Sequence, residues 1–399
     1  MAGKDLHKRN ALIVCPDYPY PTNGGNKIAI HGYMCALGEL GVTAIDLIAF
    51  DRVLPIEERS AFGDILTLQL PKKYCFANIV KFVFLGRSYL FLRYDSQENV
   101  NQVRQFLNGK KYDIVIVVHA YMAQSISALL HAVSDTVILS SEVLEGRALK
   151  ERVSLSANVI KRAFLKIEAE RAEKAEFQVL RQYKAVLFYG EEDLACYQKA
   201  TGMTNGYKVN LGLDLQRYKV LGRQNSPIKV LAFYGSFSWY PNVDALKFLL
   251  DVIWPFIIQN RNDVVLRVAG RNIPNWALEY DLSSVEFMGQ VESMQDFVSS
   301  ADIVLSPVRI GGGARLKMLE AMAWGRPVIS TSIGLEGNEA AIGLAVRVAN
   351  TPEKFLDEVN NLLDNDTIWQ ACVSNSLDYV RREHDCRTAL VSVLSQVIA

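Results

Sequence analysis

A strand that stops at a proline, three consecutive glycines and a strong helix former constrain this chain more than any other stretch. Asp302-Ile303-Val304-Leu305 reads as a buried parallel strand, and Ser306-Pro307 ends it. Gly311-Gly312-Gly313-Ala314-Arg315 follows, and the next residues, rich in Leu, Met, Ala, Lys and Glu, predict a helix. Gly325 and Pro327 stop that helix, and Pro327 to Thr331 reads as the next strand. Strand, glycine loop and helix in that order belong to a parallel α/β sheet.

The head of such a helix attracts an anion. Its first N–H groups lack intrahelical partners, and the aligned peptide dipoles place partial positive charge there. Glycines let a phosphate approach the backbone, and Arg315 and Lys317 add two cations to the same place. Gly313, Lys317 and Glu320 stand at i, i+4 and i+7 on one helix face, while Leu316, Leu319 and Ala323 occupy another. Glu320 lies too deep in the helix to cap it, and its carboxylate suits sugar hydroxyls. The competing reading is a tight βα turn beside a solvated Lys–Glu pair. Neither a Gly-Lys-Ser/Thr phosphate loop nor G-x-G-x-x-G is present at this strand.

The remaining chain repeats the theme. Ala11 to Cys15 is a short strand, Pro16 to Gly25 a turn-rich loop, and Ile28 to Leu40 a helix ended by Gly41. Further strands are expected at 44–50, 65–70, 113–118, 137–140 and 185–189. His119 follows Asp-Ile-Val-Ile-Val-Val, at the strand edge where open α/β sheets bind ligands; a structural hydrogen-bonding role is the alternative. Glu142 and Glu145 follow the next strand, where the residues do not choose between a site and solvent. Residues 157–183 predict a long helix with a mainly solvated charged face. In residues 72–93, Phe76, Ile79, Phe82 and Phe84 mix with Lys72, Lys73, Lys81, Arg87 and Arg93. That stretch reads as a buried helix with basic ends or, alternatively, as a surface for an anionic membrane.

A length of 399 residues exceeds one typical core and predicts two domains. The polar run Gly222-Arg223-Gln224-Asn225-Ser226-Pro227 is the expected linker, and Lys229 to Tyr234 begins a second sheet with strands at 264–269, 285–288, 302–305, 328–331 and 345–348. A formal net charge of zero supplies no bulk field for nucleic acid. Six scattered cysteines without a C-x-x-C pair fit reduced thiols in a cytoplasmic protein. The N-terminus does not read as a signal peptide, and no apolar run approaches the roughly 18 residues of a membrane span.

The stretch Gly-Gly-Gly-Ala-Arg-Leu-Lys-Met-Leu-Glu-Ala-Met-Ala-Trp-Gly-Arg-Pro resembles the signature of group-1 (family-4-type) glycosyltransferases of the GT-B fold, in particular a bacterial polysaccharide-type branch. The loop Pro-Tyr-Pro-Thr-Asn-Gly-Gly, the segment Asn210-Leu211-Gly212-Leu213-Asp214 and Gly235-Ser236-Phe237-Ser238-Trp239-Tyr240-Pro241-Asn242 are similar to three further motifs of that family. The wider family carries a glutamate eight positions before the one matching Glu320; here that position is Gly312, as in the glycine-rich branch.

The resemblance implies an α/β GT-B architecture of two Rossmann-like domains facing an interdomain cleft. Residues 1–221 would form the acceptor-side domain and 222–375 the nucleotide-sugar domain, with 376–399 a helix packing back on the first. It implies transfer of a sugar from a nucleotide-sugar to a saccharide or lipid-linked saccharide, with retention and without a metal or other cofactor, in polysaccharide or glycoconjugate biosynthesis. His119 and Glu320 would be catalytic. Gly24, Gly25, Gly235, Ser236, Val291, Gly312, Gly313, Arg315, Lys317 and Glu320 would bind the donor. The enzyme would be a hexosyltransferase in the cytoplasm, with peripheral contact to the inner membrane face through 72–93. The rival expectations are a sugar-nucleotide epimerase or phosphorylase on this fold, and a non-catalytic subunit favoured by Gly312.

Overall fold

A computed structural model describes residues 9–22, 24–50, 60–69, 75–154, 158–223, 226–280, 283–310 and 315–398. The chain divides into two compact units, Met1–Leu213 with Cys386–Ala399, and Asp214–Asp385.

The first unit is built on strands β1 (Arg9–Cys15), β2 (Val42–Phe50), β3 (Ile65–Leu68), β4 (Ile114–Val118), β5 (Val137–Ser141), β6 (Ala185–Phe188) and β7 (Gly206–Lys208). All pair in parallel in the order β3-β2-β1-β4-β5-β6-β7. β4 and β5 are buried throughout, as runs of β-branched and apolar residues with helices on both faces require. Leu12, Val14, Val115, Val117 and Leu139 centre the core. The final helix, Ala389–Ile398, packs against the helix Gly25–Glu39 within this unit. Glycine makes that approach feasible. A Cβ on Gly32 would stand 2.5 Å from the Gly212 carbonyl oxygen, and one on Gly212 would stand 2.7 Å from Leu390 Cδ1.

The second unit contains β8 (Lys229–Tyr234), β9 (Val264–Ala269), β10 (Val285–Gly289), β11 (Ile303–Ser306), β12 (Val328–Ser330) and β13 (Val346–Val348). They pair in parallel in the order β10-β9-β8-β11-β12-β13. Leu231, Phe233, Leu246, Trp254, Ile303 and Leu305 anchor its core. Buried Arg326 donates to the carbonyls of Leu221, Gly222 and Ser299, tying the entering chain to this unit. In each sheet the strand order reverses once, between β1 and β4 and between β8 and β11, where open α/β sheets form ligand crevices.

Two sequence expectations fail here and one is refined. The helix Phe76–Leu85 is not buried: Phe76 is 81% and Phe84 79% exposed, and Phe82 alone in it is buried. Lys72 and Lys73, which opened that stretch, lie outside the described residues. The charged helix, observed as Val159–Leu180, keeps most of its charged side chains exposed as expected, but Glu168 and Glu176 are buried. Glu168 accepts from the Ser88 hydroxyl and the Tyr89 and Leu90 N–H groups, satisfying the head of the helix Tyr89–Tyr94. Nor is 376–399 one helix; Asp366–Glu383 stops and Ala389–Ile398 begins anew.

Candidate functional site

In the second unit the chemistry gathers where β8 and β11 part. The helix Leu316–Ala323 starts here, with Arg315 as its N-cap residue. Gly311 to Ala314, including the donor-binding candidates Gly312 and Gly313, lie outside the described residues. Lys317 sends its ammonium to Asn242 Oδ1, and Asn242 Nδ2 donates to the Ser236 carbonyl at 2.7 Å. Gly235 makes room for this, since a Cβ there would stand 2.9 Å from both Lys317 Nζ and Asn242 Nδ2. Tyr234 Oη donates to the Lys317 carbonyl at 2.7 Å. Gly235, Ser236 and Lys317 are therefore brought together as one group.

Burial pushes the Lys317 ammonium down to about 8, Arg315 pushes it the same way, and Glu320 opposes them. Burial pushes the Glu320 carboxyl up to about 7, against a 3.4 Å hydrogen bond donated by Tyr218 and the charge of Lys317. A cation in this position meets an arriving anion with part of its hydration already removed. Arg315 is placed differently: it donates to the Ile333 carbonyl at 2.7 Å and to Glu336 at 2.9 Å. Asn242 and Tyr218 are the participants that residue reading missed. Asn242 sat at the end of the Trp-x-Pro-Asn stretch without a role, and Tyr218 gave no local signal.

Beside this group, a cavity of about 470 Å³ opens at the carboxyl ends of β9 and β10, lined by Gly270 to Ile273, Leu278 and Phe287 to Gln290. Gly289 has φ +62°, a left-handed conformation that suits glycine. Val291 follows this lining, half-buried, and is not part of it.

In the first unit Gly24 caps the helix Gly25–Glu39, and a Cβ at Gly24 would meet nothing within 4 Å. His119 ends β4 at φ +70°, a left-handed conformation costing a non-glycine residue about 1–3 kcal/mol. It is buried, and its ring stacks on Tyr121 at 5.0 Å. Glu142 Oε2 lies 4.0 Å from His119 Nε2, and Glu145 Oε1 lies 3.9 Å from Nδ1. Burial pushes His119 down to about 4. Burial pushes Glu142 up to about 8, with Asp17 and Glu145 adding to it, and burial pushes Glu145 up to about 7 against Arg152. At neutral pH the imidazole is uncharged, so these contacts are not ion pairs. The two glutamates, undecided from sequence, thus belong to the surroundings of His119.

Known proteins resemble this chain in sequence and in fold. Residues 228–365 match the family model of glycosyl transferases group 1. A Klebsiella pneumoniae protein, described as an uncharacterized 44.6 kDa protein in cps region, is 22% identical over 406 residues, 96% of this chain and 99% of its own. Sucrose-phosphate synthase from Thermosynechococcus elongatus superposes with a TM-score of 0.71 at 16% identity, covering 98% of this chain and 99% of that one. Anabaena HepE in complex with UDP and glucose gives 0.64 at 11% identity, covering 97% and 98%. The chain has the GT-B fold of these glycosyltransferase structures, and its second unit is similar to the glycosyl transferases of group 1.

Proposed function

We propose that this protein is a glycosyltransferase moving a sugar from a nucleotide-sugar donor to a saccharide or lipid-linked saccharide acceptor. The observation that carries the reading is the half-buried Lys317 ammonium, held by Asn242 at the second sheet's reversal point, one helical turn from Glu320, in a segment matching group 1 glycosyl transferases. The complex of HepE with UDP and glucose supports a nucleotide-sugar donor, and the cps-region relative supports a place in polysaccharide or glycoconjugate biosynthesis.

The second unit holds the donor in this reading. Lys317, the helix head and the glycines Gly312 and Gly313 stabilise the charge that develops on the departing diphosphate, with a smaller contribution from Arg315, whose charge Glu336 already faces. Gly235 and Ser236 line the donor's path, Val291 stands at the edge of the neighbouring cavity, and Glu320 takes hydrogen bonds from sugar hydroxyls. Gly24 and Gly25 complete the phosphate side, and His119 stands near the reacting sugar. Transfer of a hexose proceeds with retention and without a metal.

The place of action is the cytoplasmic face of a membrane, contacted through 72–93. Exposed Phe76, Val83, Phe84 and Leu85 support this, and Val159, Ile160 and Phe164 extend the apolar surface through a 5.1 Å ring contact between Phe82 and Phe164. Lys81, Arg87, Lys161 and Arg162 supply the basic groups that anionic lipid attracts. No helix among the described residues is long and apolar enough to cross a membrane.

A thermal-shift screen over UDP-, GDP-, dTDP- and ADP-sugars tests the donor assignment, with stabilisation by one of the four expected. Stabilisation by none overturns it, and conversion of the sugar without an acceptor redirects the reading to an epimerase. For the membrane, co-sedimentation with phosphatidylglycerol vesicles is expected, reduced by the pair Phe76→Ser and Phe84→Ser. Equal sedimentation of both proteins removes the contact.

A further inference from the structure

Two carboxyl groups face one imidazole at the head of the first sheet without satisfying it. His119 ends β4 while Glu142 and Glu145 follow β5, and the two strands pair directly. The 4.0 and 3.9 Å separations exceed a hydrogen bond. Among the described residues, His119 Nε2 and Glu142 Oε1 are buried and have no hydrogen-bond partner. His119 as a whole is only 5% exposed. Buried polar atoms are paired as a rule, so two orphans in one cluster mark a place where a ligand's polar groups belong.

The cluster is held in shape from behind. Buried Glu176 accepts from the N–H groups of Glu145 at 3.1 Å and Gly146 at 3.2 Å. Asp193 accepts from Leu144 N–H at 3.4 Å and from Arg147 at 2.9 Å. Tyr121 carries the imidazole on one side and packs in turn against the tilted ring of Tyr94, with centroids 4.5 Å apart. The carboxyl side remains open: the Glu142 and Glu145 side chains keep 13% and 20% of their surface exposed, against 6% for His119.

We propose that Glu142, His119 and Glu145 form a binding subsite for hydroxyl groups of an uncharged sugar, with Glu142 the specificity-determining residue. Under the transferase reading, on which this rests, that sugar is the acceptor. An oxygen placed in the gap between Glu142 and His119 reaches both, donating to one and accepting from the other. The gap between Glu145 and His119 takes a second hydroxyl in the same way.

The surroundings exclude an anion. Asp17 faces Glu142 from the loop after β1, and Tyr33, Tyr189 and Cys15 face it as protonated groups. Tyr94, Tyr121 and Glu176 face Glu145. Arg152 is the cation acting on this pair, and it acts on Glu145 from the same helix. A carboxylate on the ligand would meet acids without a counter-charge, increasingly as pH rises and the glutamates ionise.

The test is saturation-transfer NMR on the full chain at pH 6 and pH 9. Its probes are the methyl glycosides of glucose, galactose, mannose and N-acetylglucosamine, with methyl glucuronide as the charged arm. At least one neutral glycoside is expected to bind. Glu142→Leu is expected to abolish that signal and Glu142→Gln to keep it. Glucuronide is expected to bind about tenfold more weakly than the neutral sugar at pH 9, a discrimination reduced in Glu142→Gln. If no neutral glycoside binds, or if Glu142→Leu binds as well as wild type, the subsite is wrong. Should Glu142→Leu not fold, an unchanged discrimination in Glu142→Gln overturns the proposal by itself. Binding of UDP, GDP, dTDP and ADP to the same samples reads the transferase assignment separately. Nucleotide binding without glycoside binding sinks the subsite, and the reverse sinks the transferase reading.

Discussion

The two units place polar groups at the same point of the same kind of sheet and treat them in opposite ways. At the β8/β11 reversal, Lys317 rests on the neutral amide of Asn242, and Glu320 accepts from Tyr218. At the head of β4, His119 and Glu142 carry buried atoms with no partner among the described residues. A cation held by an amide is easily handed to an anion, because the amide leaves no bare charge behind. A cation held by a carboxylate, as Arg315 is by Glu336, must first give up an opposite charge. The second unit thus keeps a positive group ready for an anion, and the first keeps an acidic cluster, its carboxyls raised by burial, ready for hydroxyls.

The largest expected effect breaks the comparison on the acidic side. Glu142 and Glu145 are raised from 4.5 to about 8 and about 7, so the native state holds protons that the unfolded chain has released. Their contribution to stability is full below 4.5 and is lost as pH rises through 7 to 8, on the order of 3–5 kcal/mol for each carboxyl. Urea unfolding across that range is expected to show stability falling with pH, with a shallower fall in Glu142→Gln. The same slope in both proteins would mean that Glu142 is not held protonated.

Next comes Lys317→Ala. Losing one charge-assisted contact of about 1.5–3 kcal/mol lowers affinity for the nucleoside diphosphate identified in the screen by roughly 10- to 100-fold, while folding is retained. Calorimetric titration measures it, and unchanged affinity would remove Lys317 from the anion site. A sharper version uses pH. Because Lys317 loses its proton near 8, wild-type affinity is expected to weaken above that pH by up to about tenfold per unit, whereas Lys317→Arg stays level. Parallel curves for the two proteins would place the titrating group elsewhere. The smallest effect belongs to Arg315→Ala, whose charge already faces Glu336; nucleotide affinity is expected to change by less than about 1 kcal/mol. A loss equal to that of Lys317→Ala would show that Arg315 leaves Glu336 for the ligand.

Much of this was legible because parallel strands covered on both faces must be continuously apolar. Ile114–Val118 announces itself in that way, and Val264–Ala269 does so apart from Arg267. β7 escaped because three half-buried residues, Gly206–Lys208, carry no pattern of their own and become a strand only beside β6. The Phe76–Leu85 helix was misread because hydropathy records what a segment prefers to lose from water, not whether a neighbour is there to cover it. Lys317 and Glu320 were readable from spacing on a helix. Their partners Asn242 and Tyr218 were not, lying 75 and 102 residues away.

By itself the sequence determined two parallel sheets, each with a glycine-bearing loop feeding a helix at its reversal point, since glycine spacing and apolar runs are local properties of the chain. Tertiary structure alone decided the state of the acids. Glu168 and Glu176 became caps for other helices' N–H groups, Glu142 and Glu145 became neighbours of an imidazole with their carboxyls raised by burial, and Glu320 became the partner of a tyrosine. In the unfolded chain these are alike. What separates them is how much water packing removes and which donors it supplies, and both depend on segments distant in the chain.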